Sequence, residues 1–404
     1  MNRCKICLKK TKVVINFGRM PIANGFVKKP HSREFVFTLK VAFCPYCFMV
    51  QLSQTVPPEA MFHDHYQFFS STSRGMEDHF KKQANYILKK ISRKKDPFVV
   101  EIGSNDGIML KHIASSKVRH LGVEPSENVA REAKKSGINI TTEFFNEQVA
   151  KKIEQKYGRA DVICGSNVIC HIEDINSVFE GIRLLLKDDG VFFFQEPYLY
   201  DIIRLASFDQ IYDEHVYYYS GLSVKNLAEQ HGLALIDMRH QNVHGGSMRY
   251  YVARQNSRIV SDSVEKWLSR EKKLNIHRLK GYISFKKRVD QITFDFKKLL
   301  KTMAQQKKRV AGYAATSKST TFLNYAHIGP DLIEYITDTT PSKIGLLTPG
   351  THVPIKSHEY FIKDDPPYTV LFAYNHKKEV FEKEKLYRKR GGKFIIYFPK
   401  VVIS

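Results

Sequence analysis

No stretch of this 404-residue chain approaches the roughly 18 consecutive apolar residues that a membrane-spanning helix requires. The opening residues, MNRCKICLKKTK, lack the uninterrupted apolar h-region of a secretory signal. The expected setting is the cytoplasm, with no membrane partner. Low-complexity tracts and long internal repeats are also missing, which argues against disordered and solenoid classes. The 43% hydrophobic and 12% aromatic content suffices for two or three domains with sizeable cores. Acidic residues are in deficit: 41 Asp and Glu face 64 Lys and Arg, a formal net charge of +23. Such a surplus favours an anionic partner, of which nucleic acid is one. The lysines are nevertheless scattered (KKQANYILKKISRKK, EKKLNIHRLKGYISFKKR) and not gathered in a tail, as solvated helix faces would have them.

Cysteine is scarce, at six residues, and four of the six form two tight pairs, Cys4-x-x-Cys7 and Cys44-x-x-Cys47. Each pair offers two sulfurs to one tetrahedral ion, so the spacing reads as a tetrathiolate zinc site; disulfides are disfavoured in a reducing compartment. With four thiolates and no open ligand position, the metal is expected to hold the fold and take no part in chemistry. Cys164 and Cys170 read as ordinary buried thiols.

Along the chain, residues 1–70 carry the zinc pairs and short strands such as FVFTLKVAFC. Residues 71–257 open with a helical apolar pattern (MEDHFKKQANYILKKI) and then alternate strands (PFVVEIG, VRHLGVEPS, INITTEFF, ADVICGSNVI, GVFFFQEPY) with amphipathic helices. That alternation predicts an α/β fold whose parallel sheet is covered on both faces. Residues 258–308 read as a charged helical connector, in one helix or two, and residues 309–404 as a smaller α/β domain.

The usual nucleotide signatures are absent: the first strand-to-helix turn is neither G-x-G-x-x-G nor a P-loop. It reads Glu101-Ile-Gly103-Ser-Asn105-Asp106-Gly107, and the next strand ends in Glu124-Pro125. Glycines there let a ligand approach the backbone. A carboxylate ending the second strand suits both hydroxyls of a ribose, which together with the turn is the pattern of S-adenosylmethionine binding. Phe145, at the end of the third strand, and Asn167, at the end of the fourth, are further cofactor candidates. His171 follows Asn167 on the same ligand-binding edge.

Two stretches suit anions. AGYAATSKST places Ser317 and Lys318 at a helix start, where free N–H groups face outward, and VHGGSMRYY contributes His244, Gly245, Gly246 and Arg249. The segment SFDQIYDEHVYYYS follows the fifth strand and so reaches over the expected donor site. A His beside a Glu can act as a general base, but Glu214 and His215 can converge only in a turn, because neighbours on a strand face opposite ways.

Taken together, MPIANGF, both C-x-x-C pairs, FFSSTSRGMEDHF, EIGSNDGIML, GVEPSENVA, SNVICHI, SFDQIYDEHVYYYS, VHGGSMRYYVAR, GYAATSKSTTFLNY, DTTPSKIGLLTPGTHVPI and LFAYNH resemble, over nearly the whole chain, the zinc-containing sugar C-methyltransferases of deoxysugar biosynthesis. These act at C3 of nucleotide-linked 4-keto-6-deoxysugars, with products in polysaccharide O-antigens (lipopolysaccharide) or secreted metabolites. The resemblance implies an N-terminal zinc domain, a central class I (Rossmann-like) methyltransferase domain and a C-terminal Rossmann-like domain. It implies S-adenosylmethionine and structural Zn2+ as cofactors, with Tyr212, Glu214, His215, His171 and Tyr66 in the active site and His215 as the base. The substrate's diphosphate would occupy the C-terminal domain and the HGGSMR loop, with Asn375 and His376 as further contacts, and would use the positive charge better than nucleic acid does. Departures from the family pattern are Ser104 and Met109 in the turn and the aromatics Tyr217 to Tyr219. The rival reading is a zinc-ribbon RNA methyltransferase. A monomer is the default.

Overall fold

The computed structural model describes residues 3–30, 34–57, 74–243 and 245–404. Two of the expected site residues, Tyr66 and His244, lie outside the described residues.

The N-terminal part is built on an antiparallel sheet of β1 (Lys12–Pro21), β2 (Val36–Phe43) and β3 (Val50–Leu52). The Cys4–Cys7 turn precedes β1, and the Cys44–Cys47 turn joins β2 to β3.

The central sheet contains β4 (Phe98–Ile102), β5 (Arg119–Val123), β6 (Ile140–Thr141), β7 (Ala160–Ser166) and β8 (Leu186–Pro197). It is completed by β10 (Leu233–Gln241) and β11 (Ser247–Arg254). The strand order is β10-β11-β8-β7-β4-β5-β6, parallel except for β11, which runs antiparallel to both neighbours. All five residues of β4 are buried, as expected of a strand covered on both faces. One face packs on the helix Arg74–Ile91 through Phe80, Ala84 and Ile87. The other packs on the helix Ile175–Leu185 through Val178, Phe179 and Ile182.

The C-terminal sheet has the order β14-β13-β12-β15-β16-β17. Its strands are β12 (Val310–Tyr313), β13 (Ile336–Thr337), β14 (Ile355–Lys356), β15 (Tyr368–Leu371), β16 (Lys393–Ile396) and β17 (Val402–Ile403). Only β17 is antiparallel. Both α/β sheets thus have the doubly wound order foreseen for Rossmann-like domains, with ligand crevices at the carboxyl edge. Among the described residues no helix is long and apolar enough to cross a membrane.

Two features depart from the segmentation read in the sequence. Residues 217–218 form β9 (Tyr217–Tyr218), which pairs with β3 and so belongs to the N-terminal sheet, although the segment follows the central sheet's fifth strand. The span 258–308 is two helices, Asp262–Lys273 and Leu279–Gln305, and neither merely bridges domains. The first packs on β10, and its fully buried Glu271 accepts from Tyr198 Oη (2.7 Å) and from the backbone N–H of Gly221 (2.6 Å) and Leu222 (3.0 Å). A carboxylate at those N–H groups caps the helix Gly221–Gln230. The second helix contributes Phe285, Val289, Phe296 and Leu300 to a core that also contains Phe17 and Phe43 of the N-terminal sheet and Ile336 and Val370 of the C-terminal one. Each such side chain adds roughly 1.5–3 kcal/mol on burial, so this helix fastens the two outer parts together.

Candidate active site and metal cluster

The two cysteine turns are copies of one geometry. Leu8 N–H donates to Cys4 O and Phe48 N–H to Cys44 O, each at 3.0 Å. Leu8 and Phe48 both adopt the left-handed conformation (φ 59° and 62°) that closes such a knuckle. The four sulfurs lie within 4.8 Å of one another, and Cys4–Cys47 and Cys7–Cys44 are each 3.5 Å apart. Sulfurs 2.3 Å from a tetrahedral ion stand about 3.8 Å apart. The donor set therefore fits zinc with all four positions filled by thiolates, as the spacing predicted.

At the carboxyl edge of β4, Gly103 (φ 65°) and Gly107 (φ 79°) occupy left-handed positions. A Cβ on Gly103 would stand 2.4 Å from Val168, and one on Gly107 2.1 Å from Ile138. The turn is therefore closed against the β7 loop, and only glycine fits. Both oxygens of Glu124 are held by backbone donors, Oε2 by Asn105 N–H (2.9 Å) and Oε1 by Ser126 N–H (3.0 Å), which aims the carboxylate over the turn beside Pro125. Burial, then the charges of Glu124 and Asp106, pushes Glu101 well above the carboxylate range. Glu101 Oε2 and Asn167 Oδ1 are buried with no hydrogen-bond partner among the described residues. Two unfilled buried acceptors beside a closed glycine turn suit a ligand that brings an ammonium and hydroxyls, as S-adenosylmethionine does. Phe145 departs from its expected role: it is 3% exposed in the core with Val149 and Ile153, whereas Phe144 is 47% exposed. Phe144 is thus the ring of that pair with a free face.

The β7 loop is pinned from below. Glu196 Oε1, at the end of β8, accepts from the N–H groups of Val168 (3.1 Å), Ile169 (2.7 Å) and Cys170 (3.3 Å), and Tyr219 Oη donates to Ile169 O (3.2 Å). This holds His171 in a short turn, where burial pushes its imidazole down to about 4. Val216 N–H donates to Cys170 O (2.8 Å), bringing the His171 loop to the Tyr212–His215 segment. The two imidazole centroids are 5.2 Å apart. Cys170 Sγ and ring nitrogens of both histidines lie within 4.8 Å of one another.

Residues 212–215 form a turn closed by His215 N–H on Tyr212 O (3.2 Å), which lets neighbouring side chains converge as anticipated. His215 Nδ1 is 3.0 Å from Gln210 O and Nε2 is 2.9 Å from Tyr212 Oη. A carbonyl only accepts, so Nδ1 carries the hydrogen; Nε2 of the neutral ring is then the basic nitrogen, receiving the Tyr212 hydroxyl. Burial, reinforced by Asp213, pushes Glu214 up to about 7 against a hydrogen bond from Asn24. That bond runs from Asn24 Nδ2 to Glu214 Oε1 (2.7 Å), and Asn24 Oδ1 accepts from Ser317 Oγ (2.9 Å). One asparagine thus links the N-terminal part, the Tyr212–His215 turn and the C-terminal helix Ser317–Ala326. It was not singled out as a site residue, though it stands in MPIANGF. The tyrosines left open in the sequence are all buried. Tyr217 and Tyr218 build β9, Tyr217 Oη donates to Glu173 O (2.6 Å), and Tyr219 pins the His171 loop.

On the C-terminal side, Lys318 Nζ is buried with no hydrogen-bond partner among the described residues and lies 5.5 Å from the Tyr374 ring centroid. Burial pushes it down, with Asp209 opposing. Asp209, another residue missed in the sequence, accepts from Tyr374 Oη (2.9 Å) and Tyr397 Oη (3.1 Å). Gly245 stands over Gln210 and Tyr374. Asn375 and His376 follow Tyr374 in a short turn; His376 lines a crevice of about 240 Å³ with Tyr313, Asp338 and His358 at the carboxyl edge of β12 and β13. Arg249 does not join this group. It lies on β11 in the central sheet and donates to Gln83 and Gln195.

A four-thiolate knuckle pair, a closed glycine turn facing an acidic strand end, and a basic dyad over the same edge define a zinc-bearing class I methyltransferase with an appended α/β domain. Models of a zinc binding domain, a methyltransferase domain and a C-methyltransferase C-terminal domain match residues 4–62, 74–237 and 242–399. The C-methyltransferase NovU of Streptomyces niveus is 30% identical over 404 residues, covering 99% of this chain and 96% of that protein. The chain belongs to this C-methyltransferase family, with S-adenosylmethionine and zinc as its cofactors. Among solved structures, the CcbJ methyltransferase of Streptomyces caelestis is 12% identical, covering 47% of this chain and 96% of its own (TM-score 0.37). Magnesium protoporphyrin IX methyltransferase of Synechocystis, with bound S-adenosylmethionine, is 11% identical over 45% and 80% (TM-score 0.34).

Proposed function

We propose that this protein methylates C3 of a nucleotide-linked 4-keto-6-deoxysugar through an enolate that its own residues generate. When bound, S-adenosylmethionine supplies an electrophilic methyl group. The observation that carries the reading is the Tyr212–His215 pair, a buried nitrogen base with its tautomer set by Gln210 O. A carbonyl at C4 acidifies the C3 hydrogen, and His215 Nε2 takes that proton. Tyr212 Oη and His171 serve as donors to the oxygen that becomes anionic, each such donor contributing roughly 3 kcal/mol. Glu214 orients the turn and, with a pKa of about 7, changes charge in the working range. Lys318, Ser317 and the Gly245 loop face the diphosphate.

The test is incubation with methyl-labelled S-adenosylmethionine and a panel of 4-keto-6-deoxy nucleotide sugars in heavy water. Label and deuterium at C3 are the expected result. Label in RNA instead, with activity falling steeply with salt, would overturn the sugar assignment in favour of its rival.

Two smaller effects follow. Lys318→Met removes a charge-assisted contact worth roughly 1.5–3 kcal/mol, so KM for the nucleotide sugar rises roughly 10- to 100-fold with kcat nearly unchanged; steady-state kinetics decide it. Asn24→Ala deletes the hydrogen bond that favours the Glu214 carboxylate. The anion loses a donor, the pKa rises above about 7, and the limb of the kcat/KM profile set by this carboxyl moves to higher pH.

A further inference from the structure

Cys170 and His171 are consecutive in SNVICHI, and the short turn that buries the thiol also delivers it to the His215 imidazole. The Cys170 side chain is 1% exposed, as expected of a buried thiol. Its sulfur and one ring nitrogen from each of His171 and His215 lie within 4.8 Å of one another. The carboxyl groups of Glu196 and Glu214 both bear on that sulfur. Among the described residues, only this trio and the four-cysteine cluster gather three or more metal-ligating side chains in such a space.

Each donor is held from outside the trio. Three backbone N–H groups on Glu196 Oε1, and the Tyr219 hydroxyl on Ile169 O, fix the turn that carries Cys170 and His171. Val216 N–H on Cys170 O (2.8 Å) ties that turn to the His215 segment. His215 Nδ1 donates to Gln210 O (3.0 Å). That is the outer contact by which a metal-binding histidine fixes its tautomer and turns its other nitrogen to the ion. Nε2 is the nitrogen so presented, in contact with Tyr212 Oη (2.9 Å).

An ion bound tetrahedrally at roughly 2.3 Å from sulfur and 2.0–2.1 Å from nitrogen sets its donors about 3.5 Å apart. Donors no more than 4.8 Å apart therefore close on it by about 1 Å. One thiolate and two imidazoles select a soft or borderline ion such as zinc or cadmium, whereas magnesium and calcium take oxygen ligands. Two carboxyl groups beside a thiolate add to the pull on a divalent cation. Three protein donors leave a fourth position open, unlike the all-thiolate cluster.

We propose that Cys170, His171 and His215 form a second metal site, for a thiophilic divalent ion such as Zn2+ or Cd2+, whose occupation arrests methyl transfer. The ion displaces the Cys170 thiol proton to solvent and takes the lone pair of His215 Nε2, from which the Tyr212 hydroxyl gives way. With that lone pair bound, nothing at this position accepts the C3 proton. The arrest rests on the reading of His215 given above; the site itself does not.

Cobalt(II) added to the full-length protein, with one zinc per chain already in the four-cysteine cluster, tests the site without any substrate. A thiolate-to-cobalt charge-transfer band saturating at one equivalent is expected, since zinc outcompetes cobalt at the cluster. Cys170→Ala keeps the backbone N–H on Glu196 and should abolish the band. Its absence from the unsubstituted protein, or its persistence in Cys170→Ala, overturns the site. Zn2+ titrated into the methyl-transfer assay should inhibit the unsubstituted enzyme. Against its own rate without added metal, Cys170→Ala should need at least ~100-fold more Zn2+, because a lost ligand costs more than the 10- to 100-fold of a lost outer contact. Inhibition that Mg2+ reproduces, or that Cys170→Ala does not shift, overturns the arrest. A cobalt band with undiminished methyl transfer under saturating Zn2+ overturns the arrest and His215 as the base together, and leaves the metal site standing.

Discussion

Removing the zinc, or replacing Cys44 with Ser, is expected to lower kcat/KM more than 100-fold, although the four thiolates form a closed cluster of their own. The route is mechanical. β3 begins three residues after Cys47 and pairs with β9, Val50 with Tyr218 and Gln51 with Tyr217. β9 begins two residues after His215 and holds the end of the catalytic turn in place. A second tie runs from the first knuckle: Lys5 N–H donates to Gln51 Oε1 (2.9 Å), and the Lys5 ammonium pairs with Glu173, whose carbonyl receives Tyr217 Oη. Structural zinc contributes roughly 10–16 kcal/mol of apparent folding free energy in small domains, as much as the roughly 5–15 kcal/mol that holds a typical protein folded. Its loss should therefore release β3, then β9, then His215. Chelation followed by zinc quantification, thermal melting and kinetics on one sample checks this. An apo protein that retains its kcat/KM would show the catalytic turn to be independent of the cluster.

His215→Ala should lower kcat by roughly 10²- to 10⁴-fold, the usual contribution of a general base, and abolish C3 deuterium exchange. S-adenosylhomocysteine binding should be unaltered, because none of the residues proposed to hold the donor belongs to the 212–215 turn. Tyr212→Phe removes a donor and leaves the base, so exchange continues while methyl transfer slows. Undiminished exchange in His215→Ala would sink the base assignment and turn attention to Glu214, the adjoining carboxyl raised by burial.

The parts of this site legible in the sequence are those whose chemistry is local. A C-x-x-C knuckle, a glycine turn and an acid at a strand end each complete their geometry within a few residues, so the four-cysteine cluster and the closed turn could be named in advance. The segment 258–308 was read as a connector because amphipathic periodicity shows that a helix has a buried face and not what covers it. Phe144 and Phe145 are chemically alike, and only the phase of the β6 loop decides which is core. Asn24 escaped notice because its partners, Glu214 and Ser317, are 190 and 293 residues away. The VHGGSMR loop misled for the opposite reason: its residues are neighbours in sequence but divide between two sites. Gly246 (φ 118°), closed against Asp201, carries the chain into β11, so Gly245 stays with Gln210 and Tyr374 while Arg249 joins Gln83.

Because β9 is an edge strand of the N-terminal sheet, the catalytic turn is owned by two domains at once. A chimera that exchanged the methyltransferase portion at a boundary near residue 70 would inherit a β9 with no matched β3. Parts from two relatives are interchangeable only if residues 50–52 travel with 212–218, so recombination and enzyme engineering in this chain must follow the hydrogen-bonded seam and not the order of the polypeptide.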